Sequence, residues 1–309
     1  MSGIDISIVA NGTVWPVHRG KSVTGREPGI TLVEDGVAGL MDAPIETNWI
    51  EDTERGSVWA GERFLARDLT LGFCVSDELA GSSIAGQLES EFRMAFSSRP
   101  DRWDPDWQPT KVLVDSDLSD ERWLYVQMHE VPAMKMPRDP FGQKIYDIAY
   151  EVRAGQPLYE SEKVVEVFEG SGTSGSGTIT VSNPTDVEMR HTWVLTRATW
   201  TIPDPSWTGA RGAREPGGDQ ADRTIPLPPI TEEDQGVRIT RGRRQLHAMT
   251  FNKTNFLGRM NGNWVRFDIP PYTPPTELPI SYIDAPSGGA RAELHQPRFW
   301  TRPVGLELP

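Results

Sequence analysis

The feature that most constrains the fold is the stretch 169–205, in which a loose segment is followed by two strand-like runs. Residues 169–177 are mainly Gly and Ser, which leave the backbone free and offer little to pack. Residues 178–186 and 191–202 then alternate apolar and polar side chains, as half-buried strands do. The stretch therefore predicts a joint between two β-rich halves. The predicted division is a first domain, 1–168, a flexible linker, 169–177, and a second domain, 178–309.

Composition limits the classes of protein that this chain can represent. Its 309 residues suffice for two domains with separate cores, and the absence of a run of about 18 apolar residues predicts no membrane span. Residues 1–11 lack a basic region and alternate like a strand, so we expect no signal peptide. The net charge of −13 argues against broad nucleic-acid binding, although an acidic surface would let DNA pass without binding.

The first half reads as a small sheet that carries one helix. Apolar residues recur at helical spacing over 84–96, with Ser82 or Ser83 as the cap, and Asn11-Gly12 is a tight-turn pair between two strand-like runs. Residues 20–53 read as a long excursion with short strands. The strand-like runs of this half are 4–9, 14–17, 69–75, 112–114, 123–128, 146–152 and 163–168.

The second half reads as an antiparallel sandwich. Its strand-like runs are short and evenly spaced, its turns are rich in proline, and no helix of any length is predicted. The expected fold class is therefore mainly β, with one helix in the first domain. The strand-like runs of the second half, beyond 178–202, are 237–240, 245–250, 278–283 and 290–294.

No residue pattern points to catalysis, a cofactor or a metal. The histidines stand at no metal-ligand spacing, and there is no nucleophile elbow, phosphate loop or dinucleotide fingerprint. The acidic loop 115–121 lacks the glycine, the closing glutamate and the helices of a calcium loop. Cys74 lies in an apolar strand, where a buried small side chain is favoured over a reactive thiol, and it has no partner for an internal disulfide. We therefore predict a non-enzyme with no catalytic residues, although a glycosidase-like pair of carboxylates stays possible. The histidines are His18, His129, His191, His247 and His295.

Tryptophan and arginine are the candidate binding residues. Trp193 and Trp200 have opposite parity, so both cannot face the core of one regular strand, and we expect one of them to meet a ligand or, preferably, another subunit. Trp207, in a glycine-rich loop, is the best candidate for a solvent-facing anchor. An arginine cluster could bind phosphate or a partner's carboxylates, or else form a solvated turn balanced by nearby acid. The cluster is Arg238, Arg241, Arg243 and Arg244.

Several motifs, in this order along the chain, resemble the distal tail (Dit) proteins of long-tailed phages. More narrowly, the sequence is similar to minor tail proteins of phages that infect actinobacteria, which fits the excess of Arg over Lys. The second half carries most of the resemblance, and none of the motifs is catalytic. They are 177–186 (GTITVSNPTD), 200–204 (WTIPD), 261–264 (NGNW), 267–271 (FDIPP) and the final Arg-Pro-x-Gly, 302–305.

The resemblance implies an architecture and a place in the virion. It implies a tail-tube-like first domain that forms a hexameric ring around the DNA channel, and a galectin-like β-sandwich outside it. The implied partners are the tail tube protein, the tail-associated hub protein, the tape measure protein and other minor tail proteins, at a tail tip assembled in the host cytoplasm. DNA would only pass through the lumen.

Three functions remain to be distinguished. The leading hypothesis is a non-enzymatic adaptor whose residues 20–53 and sheet edges make the subunit contacts. The alternative is a module that binds host carbohydrate, and the third is a baseplate hydrolase. The chain lacks the extra inserted module of carbohydrate-binding relatives, so we assign no sugar-binding residues.

Overall fold

The computed structural model describes residues 3–20, 29–52, 55–77, 85–134, 145–242 and 246–308. Two units divide the chain: Met1–Ser161 with Trp300–Gly305, and Glu162–Phe299 with Leu306–Pro309. The fold is mainly β with antiparallel pairing, which confirms the predicted fold class. The chain passes between the two units after residues 161, 299 and 305, so neither unit is continuous in sequence.

The first unit contains one helix, α1 (Ala85–Arg93), among the residues described, and antiparallel strands. Strand β1 pairs with β2 and β7, β7 pairs with β8, and β10 pairs with β6, β8 and β9. Strand β3 pairs with β6, and β4 pairs with β5. The strands are β1 (Ile4–Ala10), β2 (Thr13–Arg19), β3 (Ile30–Ala38), β4 (Ile45–Glu51), β5 (Ser57–Phe64), β6 (Arg67–Ser76), β7 (Thr110–Ser116), β8 (Arg122–Met128), β9 (Ala133–Met134), β10 (Ile145–Ala154) and the start of β11 (Tyr159–Gly170).

The hairpin predicted at Asn11-Gly12 is present, and a second hairpin spans the acidic loop 115–121. Asn11 and Gly12 join β1 to β2 with φ angles of 51° and 75°, the left-handed values that a tight two-residue turn requires. Strands β7 and β8 pair across the acidic loop, with Val112 opposite Leu124. The loop is held by its own chain, since Ser116 Oγ accepts the Ser119 amide at 3.0 Å. The loop therefore joins two paired strands, and its acidic residues Asp117, Asp120 and Glu121 are exposed to solvent.

One face of β6 forms the core of the first unit beneath α1. Its alternating side chains are buried as predicted, and Phe73 meets Phe92 of the helix edge-on at 4.9 Å. The helix ends at Arg93, earlier than predicted, but Phe96 still stacks on Tyr150 at 4.6 Å. Aromatic pairs of this kind contribute about 0.5–1.5 kcal/mol beyond their buried area. The buried face of β6 consists of Leu69, Leu71, Phe73 and Val75.

The second unit is a sandwich of two antiparallel sheets that share one apolar core. One sheet has the order β12-β20-β14-β17, and the other contains β19-β18-β13-β21. The part of this unit that is described contains a 3-10 turn, Leu257–Arg259, and no α-helix, as predicted. The strands after β11 are β12 (Gly175–Asn183), β13 (Thr192–Leu195), β14 (Thr199–Pro203), β15 (Trp207–Thr208), β16 (Glu215–Pro216), β17 (Thr224–Pro226), β18 (Val237–Thr240), β19 (Ala248–Thr250), β20 (Thr273–Ile283) and β21 (Ala290–Trp300).

The segment predicted as a flexible linker, residues 169–177, differs from that prediction. Strand β11 runs to Gly170 and β12 begins at Gly175, so the segment is a turn between two strands. Its glycines serve close packing: a Cβ on Gly170 would lie 2.1 Å from the Tyr282 hydroxyl, and one on Gly175 would lie 2.8 Å from the same ring. The Tyr282 hydroxyl also donates to the carbonyl of Gly172 at 3.0 Å. The glycines of residues 169–177 were interpreted as a sign of a free backbone. In the structure, Gly170 and Gly175 stand where a side chain would not fit.

The predicted second domain, 178–309, also differs from the structure at its far end. Trp300–Gly305 belongs to the first unit, where the amide of Ala43 donates to the carbonyl of Thr301 at 3.0 Å. The amide of Gly305 donates to Ser119 Oγ at 2.7 Å. Contacts of this kind involve main-chain atoms, so composition gave no sign of them.

Candidate assembly surfaces

Strands β4 and β5 form a hairpin that stands apart from the other sheets, and we call it the hairpin arm. Among the residues that the structure describes, these two strands pair only with each other. Every residue of β4 is exposed, and most of β5 is too. A two-stranded hairpin is only marginally stable in water by itself. The arm therefore has the properties of an element that another surface completes.

The far end of the arm carries apolar side chains on both of its faces. Trp49 lies opposite Trp59, and the next pair along the strands is Ile50 opposite Val58. Successive pairs point to opposite faces of a hairpin, so one face presents two indoles and the other two branched aliphatic chains. All four are exposed, by 54% to 60%. We call these four residues the arm tip.

The base of the arm is polar. Glu46 and Arg63 face each other across the strands and form an exposed ion pair, a contact that contributes little to stability. A β-bulge between Asn48 and Trp49 separates this base from the tip, and the facing Gly61 has a φ of 137°, which favours glycine. The bulge changes the local twist, so the tip is presented at a different angle from the base.

A third exposed indole of the first unit lies in the loop after α1. Trp103 is 87% exposed. Its amide donates to the Asp101 carboxylate at 2.9 Å, and the amide of Asp106 donates to the Asp104 carboxylate at 2.9 Å. These two turns fix the backbone around the indole, so the side chain is displayed from an ordered loop.

The tryptophans of the second unit do not lie where the sequence placed them. Trp193 and Trp200 are both buried, with 1% and 0% exposure. The parity argument fails because they lie on separate strands, β13 and β14, so neither is free to meet another subunit or a ligand. Trp207 is half-buried against the same core, which contradicts its prediction as a solvent-facing anchor. Trp264, which was not singled out, is 45% exposed.

The arginine cluster is only partly within the described residues. Arg241 donates to the Asp268 carboxylate at 2.6 Å and to the carbonyl of Arg266 at 2.8 Å. Arg238 is exposed, and Arg243 and Arg244 fall outside the described part of the chain. The contacts of Arg241 therefore support the second interpretation, in which nearby acid balances the positive charge of a turn.

Among the described residues, the titratable side chains are not grouped as a catalytic site would require. No group of three or more His, Cys, Asp or Glu residues that could hold a metal occurs in the described ranges. Burial, with help from Asp147, raises the pKa of the half-buried Cys74 thiol, which fits an unreactive side chain. Burial lowers the pKa of His191 to about 4, and nearby Arg241 acts in the same direction.

An enclosed cavity of about 10 Å³ lies in the second unit beside His191. This volume is the room that one water molecule needs, far below what a substrate needs. Asp204 lines the cavity, but its carboxylate already accepts the amides of Arg266 and Phe267 at 2.9 and 3.1 Å and pairs with Arg223. The cavity therefore belongs to the packing of the sandwich.

Comparisons with known proteins agree with the architecture. The sequence matches no protein-family model. The chain is 23% identical over 330 residues to minor tail protein Gp27 of Mycobacterium phage D29, covering 93% of this chain and 95% of that protein. It is 23% identical over 328 residues to Gp27 of Mycobacterium phage L5, with the same coverage. The crystal structure of SPP1 Dit superposes with a TM-score of 0.52 at 10% identity, covering 94% of this chain and 98% of that one.

The fold therefore resembles that of SPP1 Dit, a protein described as a paradigm of the hub adsorption apparatus in phages that infect Gram-positive bacteria. In sequence, the chain is similar over almost its whole length to the minor tail proteins Gp27 of two mycobacteriophages. These relatives are named as minor tail proteins, so the comparisons support a structural role in a phage tail. Because the homologues are structural proteins, they speak against an enzyme. No helix in the described residues is long and apolar enough to span a membrane.

Proposed function

We propose that this chain is a non-enzymatic adaptor that forms a hexameric ring at the tail tip and joins the tail tube to the hub and to other tail-tip proteins. The observation that carries the proposal is the hairpin arm, whose tip exposes apolar side chains on both faces. A monomer gains nothing from such a surface, whereas a subunit of an assembly can bury it.

The arm tip would contribute appreciably to a subunit interface. Fully burying a large apolar side chain stabilises by about 1.5–3 kcal/mol relative to leaving it exposed. Four such side chains stand together at the tip, and closure of a ring would bury the same set at every interface. Strand β4 falls within residues 20–53, the region that the sequence assigned to subunit contacts. The arm gives that prediction a defined surface.

Free sheet edges offer a second kind of contact. Strand β1 pairs on both sides, whereas β2 pairs with β1 alone and β3 with β6 alone within the described residues. An unpaired edge presents amides and carbonyls that another chain can join. Both edges belong to the first unit, so we assign ring formation to that tail-tube-like unit and place the galectin-like sandwich outside the ring.

The partners follow from the position of such a ring. The tail tube protein would bind one side, and the tail-associated hub protein the other, with the tape measure protein and other minor tail proteins nearby. DNA would pass through the lumen without specific binding, which suits a chain of net charge −13.

The test is the solution mass of the purified chain over a range of concentrations, with negative-stain images of any assembly. We expect a six-fold ring with a central hole. A Trp49→Ser/Trp59→Ser double variant should lose the ring, whereas the matched control Trp103→Ser, also an exposed indole, should keep it. A chain that stays monomeric even with tail tube protein as a template, or that lies off the tail axis in a virion reconstruction, would refute the proposal.

Binding of host carbohydrate is the second candidate, and Trp264 is the observation that favours it. This indole is 45% exposed in the second unit, and indoles stack on sugar rings. Its backbone is held by Arg223, which donates to the Trp264 carbonyl at 3.0 Å. Pull-down with host cell walls tests this candidate: binding that is lost in Trp264→Ala and kept in Trp103→Ala would support it, and no binding by the unmodified chain would remove it.

A further inference from the structure

Two arginines are buried in the interior of the first unit, where they reach the segment Trp300–Gly305. Arg67, the first residue of β6, is 1% exposed, and Arg122, the first residue of β8, is 0% exposed. Arginine stays charged in proteins, so both sites hold a buried cation. A buried cation is stable only where acceptors surround it.

The guanidinium of Arg122 is held by the segment. Its Nη1 donates to the carbonyl of Arg302 at 2.9 Å and to that of Gly305, also at 2.9 Å. Its plane lies over the Trp300 ring, with the central carbon 3.6 Å from the ring centroid. The Trp300 indole in turn donates to Ser161 Oγ at 3.1 Å. One short segment thus supplies two carbonyls and an aromatic face to the same cation.

The guanidinium of Arg67 joins the same segment to the loop after β3. Its Nη2 donates to the carbonyl of Thr301 at 2.9 Å, and its Nη1 donates to the carbonyl of Leu40 at 2.8 Å. The Tyr159 ring lies 4.9 Å away, and the Tyr159 hydroxyl donates to the same Leu40 carbonyl at 2.8 Å. Burial lowers the pKa of Arg67, as expected for a cation taken out of water.

We propose that Arg67 and Arg122 act as a clasp for Trp300–Gly305, so that the first unit is completed only when this segment has docked. Without the segment, both guanidiniums lose carbonyl acceptors inside the unit, and a buried charge deprived of partners strongly opposes folding. The consequence for assembly rests on the proposed function: a chain whose segment is undocked should not enter the ring.

The clasp fixes the position of the segment more strictly than apolar packing would. The rigid fork of a guanidinium accepts only certain arrangements of acceptors, and Arg122 needs two carbonyls of one segment at once. Apolar packing alone would tolerate a shifted segment much better. The charge therefore makes docking specific for this segment.

A double-mutant cycle in the full chain tests the clasp. Gly305 has a φ of 74° and nothing within 4 Å of a Cβ, so Gly305→Val strains the backbone of the segment while its Cβ meets no other atom. Gly56 is the matched control, because it has a φ of 72° and equally open surroundings but lies in the turn of the hairpin arm. Each glycine variant is made in the parent chain and in the Arg122→Met chain, with Arg153→Met, an exposed arginine paired with Asp68, as the control background.

Amide hydrogen exchange is the readout, and amides of β12 and β20 in the second unit serve as the internal reference. We expect Gly305→Val to speed exchange in β6 and β8 by about a hundredfold in the parent and Arg153→Met chains, and by no more than about tenfold in the Arg122→Met chain. Gly56→Val should change these amides less than about threefold in every background. Equal effects of Gly305→Val in the parent and Arg122→Met chains, or equal effects of the two glycine variants, would overturn the clasp.

Solution mass of the same variants reports on the ring separately. If the parent chain forms rings, Gly305→Val should abolish them, and rings that persist despite the faster exchange would overturn the link to assembly. If the parent forms no ring even with the tail tube protein as a template, the proposed function fails while the exchange cycle still decides the clasp.

Discussion

Tryptophan has different surroundings on the exposed surfaces of the first unit and in the core of the second. In the first unit, Trp49, Trp59 and Trp103 are 56%, 54% and 87% exposed, on a hairpin and a loop. In the second unit, Trp193 and Trp200 are buried in the middle of the sandwich. The difference lies in the neighbours: Trp193 and Trp200 share a buried face with Leu195 and Ile202, respectively, on strands that pair on both sides. The indoles of the arm lie on a hairpin that, among the described residues, pairs with no third strand. On a strand, an indole therefore indicates a candidate contact surface when that strand has no core to face.

The largest expected effect is at the centre of the sandwich. Trp200→Ala should lower the free energy of unfolding by about 3–5 kcal/mol, because it removes a fully buried ring and leaves a cavity. Chemical denaturation monitored by circular dichroism measures the loss. The matched control, Trp103→Ala, should change stability by less than about 0.5 kcal/mol. Similar losses in both variants would break the distinction between the two sets of indoles.

The next largest expected effect is a loss of stability at acidic pH. The pKa of His191 falls from about 6.5 in the unfolded chain to about 4 in the fold, so the unfolded state binds more protons between these values. Stability from this group is fully present above pH 6.5 and should decline by about 3 kcal/mol as the pH approaches 4. Across this range, the denaturation midpoint of His191→Phe should depend less on pH than that of the parent chain. The midpoint of His247→Gln, an exposed control, should depend on pH as strongly as that of the parent. An unchanged slope in His191→Phe would contradict the assignment.

A smaller effect tests the turn that replaced the predicted linker. Gly170→Ala should destabilise by about 1–3 kcal/mol, because its Cβ would collide with the Tyr282 hydroxyl. Gly155→Ala is the control, since nothing lies within 4 Å of its Cβ. Thermal unfolding of the two variants distinguishes packing from flexibility, and a neutral result for Gly170→Ala would restore the flexible linker.

The smallest expected effect on stability is at the arm tip. Ile50→Ser and Val58→Ser should each change the free energy of unfolding of the monomer by less than about 0.5 kcal/mol, because both side chains are already exposed. If the arm is a contact surface on both faces, they should nevertheless weaken the assembly, as measured by its midpoint concentration. Loss of assembly from the tryptophan face alone would limit the contact to that face.

The periodicity of apolar residues in the sequence predicted most of the helices and strands. The alternation from Leu69 to Val75 and the Asn11-Gly12 turn predicted a strand and a hairpin because both signals are local. The docking of Trp300–Gly305 into the first unit could not be found in this way, since its acceptors are main-chain carbonyls that every sequence possesses.

The contact surface that we propose was predicted from the sequence only in part. The prediction of contacts within 20–53 included β4 but missed its partner β5. Trp207, which was predicted as a solvent-facing anchor, lies in the other unit. A local signal did exist: the apolar pairs Trp49-Ile50 and Val58-Trp59 flank a short polar turn in mirror order. That arrangement places apolar residues on both faces of a hairpin, which a search for one-sided alternation passes over.

The interrupted course of the first unit has a consequence for gene exchange between related phages. A single crossover within the coding region of the second unit would pair residues 1–161 from one parent with residues 300–305 from the other. Four of the hydrogen bonds that receive the segment use backbone atoms of Thr301, Arg302 and Gly305, so much of its side-chain identity is free to vary in such a hybrid. Trp300 and the left-handed Gly305 are the exceptions, and viable hybrids should therefore keep an aromatic residue and a glycine there while the residues between them drift.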